Sequence, residues 1–209
     1  MKPIIALLTL LALTAPARAI VNPFIRAGVD FNKFNAVESL QSNAAWKDKL
    51  TGWSAGYFGE VGINLLGSHT LGIEAGYVNA KDSNSGIEKR QIPLLLNYRH
   101  LTNLGPVSLI LGISAGMMSD TMKWREDIGN ATSSWQTFKS ANWVGVYGAT
   151  LGLGLKLGKN WGIDVGVRAL AVSAKQFQDG NLPNAENYTI GKSSIYVRPT
   201  VRLALSHYW

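Results

Sequence analysis

From residue 24 onward the chain alternates. Apolar residues exchange places with small or polar ones over eight separate stretches. Successive side chains of a strand point to opposite faces, so this pattern writes two environments into odd and even positions. A helix facing a core would repeat near 3.6 residues instead. No segment holds 18 or more consecutive apolar residues, which disfavours a helical membrane span.

The stretches cover about 24–31, 53–65, 70–78, 91–99, 107–117, 143–157, 161–172 and 194–209. The seventh is representative, with Trp161, Ile163, Val165 and Val167 opposed by Gly162, Asp164, Gly166 and Arg168. The fourth is irregular, because Pro93 and Leu95 occupy its polar face and Pro lacks a ladder donor. Short, turn-like connections at 66–70, 100–106 and 158–160 alternate with longer polar ones at about 32–52, 79–90, 118–142 and 173–192. That alternation is the up-and-down pattern of a membrane barrel, with both termini at the short-turn end. Aromatics on the apolar face add to it. Phe31, Trp53, Tyr77 and Trp143 lie near the long connections, and Tyr98, Trp161 and Trp209 near the short turns. Two such girdles are expected where rings settle at headgroup level.

Charged residues make up only 16% of the chain and Gly contributes 22 positions. Few charges fit a sheet with one face in lipid, where a soluble domain carries about 25%. In hydrocarbon every backbone donor and acceptor must be paired, so the sheet has to close. The predicted fold is all-β: a closed, up-and-down, antiparallel transmembrane β-barrel of about eight strands. At that size side chains fill most of the interior.

The inner face then carries Asp30, Glu60, Glu74 and Asp164 against Arg26, Arg99, Lys156, Arg168, Arg198 and Arg202. Unpaired buried charge is costly, so a paired network is expected. It reads either as an ion path or as a salt-bridge plug that fixes register, and the narrow lumen favours the plug.

Residues 1–19, MKPIIALLTLLALTAPARA, have a positive start at Lys2, a short apolar run and a small-residue ending at Ala17-Arg18-Ala19. This is the pattern of a cleaved signal peptide, and it leaves 20–209 as one barrel domain. The formal charge of +7 falls to +5 when Lys2 and Arg18 go with the leader. No cluster of five or more Lys and Arg appears, so nucleic-acid binding is not expected. The chain has no Cys, which excludes disulfides and thiolate metal sites.

Catalytic signals are weak. His69 and His100 fall in or beside short turns, and His207 has lipid-facing parity. Ser206 adjoins His207, but neighbouring strand residues face opposite ways and no orienting acid accompanies them. Lys81-Asp-Ser-Asn-Ser-Gly86 lacks the spaced acids of a calcium loop. No phosphate-binding fingerprint is present, so no cofactor, metal or enzymatic activity is expected. In the 118–142 connection Trp124, Arg125 and Trp135 could contact an outside ligand or fold onto the rim, and both readings stay open. The segment 36–50, with Val37, Leu40, Ala44 and Trp46, reads either as a short amphipathic helix or as packed loop.

The leader ending ARA, the eight alternating stretches, the segment Gln91-Ile-Pro-Leu-Leu-Leu-Asn-Tyr-Arg99 and a last strand ending in an aromatic resemble one family. It is the small outer-membrane β-barrel superfamily of Gram-negative bacteria, the OmpA-like, OmpX-like or "porin family" proteins. The resemblance implies the outer membrane as location, outer-membrane lipid as solvent and a monomer. It also implies the barrel-assembly machinery as a partner during biogenesis. Val201, Leu203, Leu205 and Trp209 are similar to that family's assembly signal, although Trp replaces the usual Phe and His207 interrupts the alternation. A structural, adhesive or partner-binding role through the outside loops is the first expectation. A narrow channel is the alternative, and a lipid A-modifying enzyme the second.

Overall fold

The computed structural model describes residues 21–34, 52–82, 87–127, 135–173 and 195–209. The expected leader at 1–19 and the 36–50 helix-or-loop segment lie outside the described residues. Eight strands form: β1 (Val21–Phe34), β2 (Gly52–Leu65), β3 (His69–Asp82), β4 (Ile87–Leu104), β5 (Val107–Asp127), β6 (Trp135–Leu157), β7 (Trp161–Ser173) and β8 (Ile195–Tyr208). They follow one another in order around a closed barrel, every pair antiparallel. β1 meets β8 from Phe24↔Tyr208 to Asn32↔Thr200, so the expected closure is present and both ends of the described barrel lie with the short turns.

Alternation explains the two faces. Outward positions such as Ile73, Ile113, Leu151, Val165 and Leu203 are exposed, while Glu74, Ser114, Gly152, Asp164 and Arg202 between them point inward. A wide belt of exposed Leu, Ile and Val would be untenable in water and is the surface lipid requires. Phe31, Trp53, Tyr77 and Trp143 are exposed toward the long connections, and Tyr98, Trp161 and Trp209 toward the short turns.

The turns are tight. Leu66 and Gly67 both take positive φ, at 55° and 70°, which closes β2 onto β3. Positive φ is cheap for Gly and strained for Leu. Inner glycines also admit large neighbours. A Cβ at Gly62 would strike the Leu71 carbonyl oxygen and come within 2.8 Å of the Phe24 ring.

Several strands outrun their sequence-based bounds. β4 spans Ile87–Leu104 where 91–99 is predicted, and the β5–β6 ladder continues to Asp127↔Trp135, inside the expected 118–142 loop. The inward positions there, Lys89, Gln91 and Asp120, are polar and buried, which hides the alternation from a hydrophobic pattern. Pro93 and Leu95 face inward as their parity requires. Leu95 packs with Met118, Val144, Val146, Leu170 and Val172 in an apolar cluster within the lumen.

Candidate functional site

The lumen is filled by side chains in layers. At the short-turn mouth a cavity of about 270 Å³ is lined by Asn22, Asn64, Asn103, Ser108, Asp164 and Tyr208, among others. Lys156, read from its parity as part of the inner network, lines this mouth and is exposed.

Above it lies the first charged knot. Glu60 on β2 receives Arg26 Nη1 at 3.3 Å and Arg99 Nη2 at 3.0 Å. Arg26 Nε also stands 2.9 Å from Asp164 Oδ2, as an ion contact without hydrogen-bond angles. Two cations and two anions leave this knot neutral.

The second knot crosses the barrel axis. Asp30 on β1 and Glu74 on β3 alternate with Arg168 on β7 and Arg202 on β8. Arg168 bonds Glu74 at 2.8 Å and Asp30 at 3.0 Å, and Arg202 bonds Asp30 at 2.7 Å and Glu74 at 3.0 Å. Asn97 donates to Glu74 Oε2 at 2.9 Å. This knot is neutral as well. Two planar guanidinium forks reach two carboxylates each, the arrangement in which buried ion pairs best offset their desolvation. Arg202 also lies 3.8 Å over the Phe58 ring, and Arg99 5.4 Å over Phe24.

Nearer the long connections, Arg198 bonds Gln91 and approaches Met118 Sδ at 3.8 Å, beside the apolar cluster. Gln91 donates to Asp120 at 3.3 Å, and Lys89 pairs with Asp120 at 3.5 Å. Thr200 donates to Asn32 at 3.0 Å.

The structure therefore places Arg26, Asp30, Glu60, Glu74, Asp164, Arg168 and Arg202 in two linked knots, and Arg198 in a layer of its own. Sequence reasoning missed Lys89 and Asp120, because it ended the strands short of them. Phe24 and Phe58 were missed too, although they share parity with Arg26 and Glu60. Val201, Leu203, Leu205 and Trp209 form an outward row on and just after β8. The backbone at Trp124, Arg125 and Trp135 belongs to the β5–β6 ladder, and their side chains lie outside the described residues.

The histidines all face out. His69 and His100 are cross-strand partners with ring centroids 4.9 Å apart, and His69 Nδ1 shares a 2.8 Å hydrogen bond with Tyr98 OH. His207 sits between Trp161 and Trp209, at 4.6 and 4.7 Å. Ser206 turns inward and donates to the Gly162 carbonyl at 3.2 Å. Among the described residues no group of three or more His, Asp or Glu is placed to hold a metal.

No protein-family model matches the chain and no curated protein matches it. Solved structures do. A major outer membrane protein of Thermus thermophilus is 11% identical, covers 89% of this chain and 99% of its own, and superposes with a TM-score of 0.50. Neisserial surface protein A is 13% identical over 90% and 96%, at 0.48. Ail, the attachment invasion locus protein of Yersinia pestis, is 11% identical over 90% and 97%, at 0.48. At these identities the likeness is one of fold. The closed eight-strand order and the apolar outer belt give the same answer from this chain's own residues: it has the fold of the small outer-membrane β-barrels.

Proposed function

We propose that this chain is a non-conducting outer-membrane scaffold whose task is carried by its long connections. That task is structural, adhesive or partner-binding. The observation that supports this reading is the second knot, where Asp30, Glu74, Arg168 and Arg202 join four strands across the lumen. An ion entering at the short-turn mouth would have to break two neutral knots and then pass the buried Leu95–Met118–Leu170 cluster. β1, β3, β5 and β7 end, and β2, β4, β6 and β8 begin, at the end of the barrel opposite the short turns, which gives the segments joined there a rigid frame.

Export by a leader at 1–19, monomeric insertion and use of the Val201–Trp209 row in assembly belong to this proposal. The lipid-modifying alternative receives less support, because Ser206 and His207 face opposite sides of β8.

The test is conductance of the folded chain in planar bilayers, with a heat-dependent gel shift as proof of folding. Silence is expected. Steady openings that change when Glu60 or Arg202 is replaced would make the narrow channel the better reading.

A further inference from the structure

The lipid-facing wall is not uniform. Between β4 and β7 it carries a shallow groove of about 540 Å³, lined by Leu111, Ile113, Ala149, Leu151, Val167 and Ala169. Its floor follows from the register. Ile113, Ala149 and Ala169 are successive cross-strand partners, so two methyl side chains sit side by side next to the Leu111–Leu151–Val167 row. The volume falls within the about 300–1,000 Å³ of small-molecule sites.

One end of the groove is polar. Tyr98 and His100 line it there, and His69 adjoins both through its hydrogen bond to Tyr98 and its ring contact with His100. These residues stand beside the short turns, level with the Trp161 and Trp209 girdle, where headgroups lie. The acids of this half, Glu60, Glu74 and Asp164, are all turned into the lumen. Lys156 and Lys159 are exposed at the same end.

We propose that this groove and its histidine pair form a binding site for one anionic phospholipid of the leaflet at the short-turn end. The acyl chain lies over Ala149 and Ala169. The phosphate oxygens accept from the imidazole N–H groups of His69 and His100, which a phosphate satisfies and hydrocarbon cannot. An acid-free rim with two lysines favours a net-negative head over a zwitterionic one. A partner protein is less well suited, because the groove lies within the belt that lipid covers.

The test is lipid retention by native mass spectrometry. The full chain is released from nanodiscs of phosphatidylcholine mixed with phosphatidylglycerol, and the heat-dependent gel shift reports insertion separately. Phosphatidylglycerol is expected to be retained about fivefold above its share, a preference of the size the lysine rim supplies. His69→Phe with His100→Phe, which keeps a ring but removes the N–H donors, should lower the retention of both lipids about fivefold, because each head carries the phosphate that the imidazoles hold. Ala149→Leu, which fills the floor, should lower it, and Ala27→Leu on the far wall should not. Equal retention of both lipids by the parent chain would overturn the site. So would retention that survives the histidine changes and falls only with Lys156→Gln and Lys159→Gln, since that is surface attraction alone.

Discussion

Replacing Glu74 by Gln tests the central knot most directly. Glu74 is fully buried and accepts from three donors: Arg168 at 2.8 Å, Arg202 at 3.0 Å and Asn97 at 2.9 Å. Gln keeps the shape but removes the charge and turns one acceptor into a donor. Two charge-assisted hydrogen bonds are weakened, each worth about 1.5–3 kcal/mol. Arg168 and Arg202 are then left to share Asp30, an uncompensated buried charge that costs about 3–5 kcal/mol. Both routes give the same range, against a typical total stability of about 5–15 kcal/mol. The assay is urea unfolding of the lipid-refolded chain, followed by Trp fluorescence and the heat-dependent gel shift. Arg202→Met alone should cost a similar amount. The double variant restores neutrality, so it should be more stable than the sum of the singles by about 2 kcal/mol. Additivity within about 0.5 kcal/mol, or a Glu74→Gln cost below about 1 kcal/mol, would refute the knot as a coupled unit.

Two further changes probe the wall and the turns. Val165→Arg puts a charge on the exposed outer face of β7 and should cost about 2–4 kcal/mol in the same unfolding assay, as a cation does near the bilayer midplane. Leu66→Gly relieves a positive φ of 55° that Leu tolerates poorly, and should raise stability by about 0.5 kcal/mol once the added freedom of the unfolded chain is subtracted.

Most of the wall is legible in the sequence because lipid imposes a simple rule. β7 carries its full pattern, from Trp161 outward to Arg168 inward, and Leu151, Leu153 and Leu155 do the same on β6. Legibility fails where the inner face changes chemistry. In β4 an apolar inner residue, Leu95, reads as an error in alternation until Met118, Val144 and Leu170 are placed around it. At the long-connection end, Lys89 and Asp120 read as loop because their pairing partner is on the neighbouring strand rather than nearby in sequence. The inner charges can be named from parity, but their grouping into two neutral knots cannot. That grouping depends on the stagger of the closed barrel, which brings Arg168 within reach of Asp30, 138 residues away.

The stagger also suggests what the knots do for folding. Register is weakly fixed when two strands offer similar faces, and a slip of one residue turns every side chain to the other face. Here such a slip would carry Asp30 or Arg202 into hydrocarbon, at about 2–4 kcal/mol for an Arg near the midplane. Asp30 and Arg202 are direct partners across the closing β1–β8 seam, and Arg26 and Glu60 are direct partners across β1–β2. The ion pairs thus sit on both sides of the first strand, which must find the last one to seal the barrel. Gly28, between them on β1, carries no side chain that could specify register, and Phe58 on β2 faces its position. A charged lumen is therefore useful to a barrel whether or not it conducts, because it penalises closures that separate these pairs.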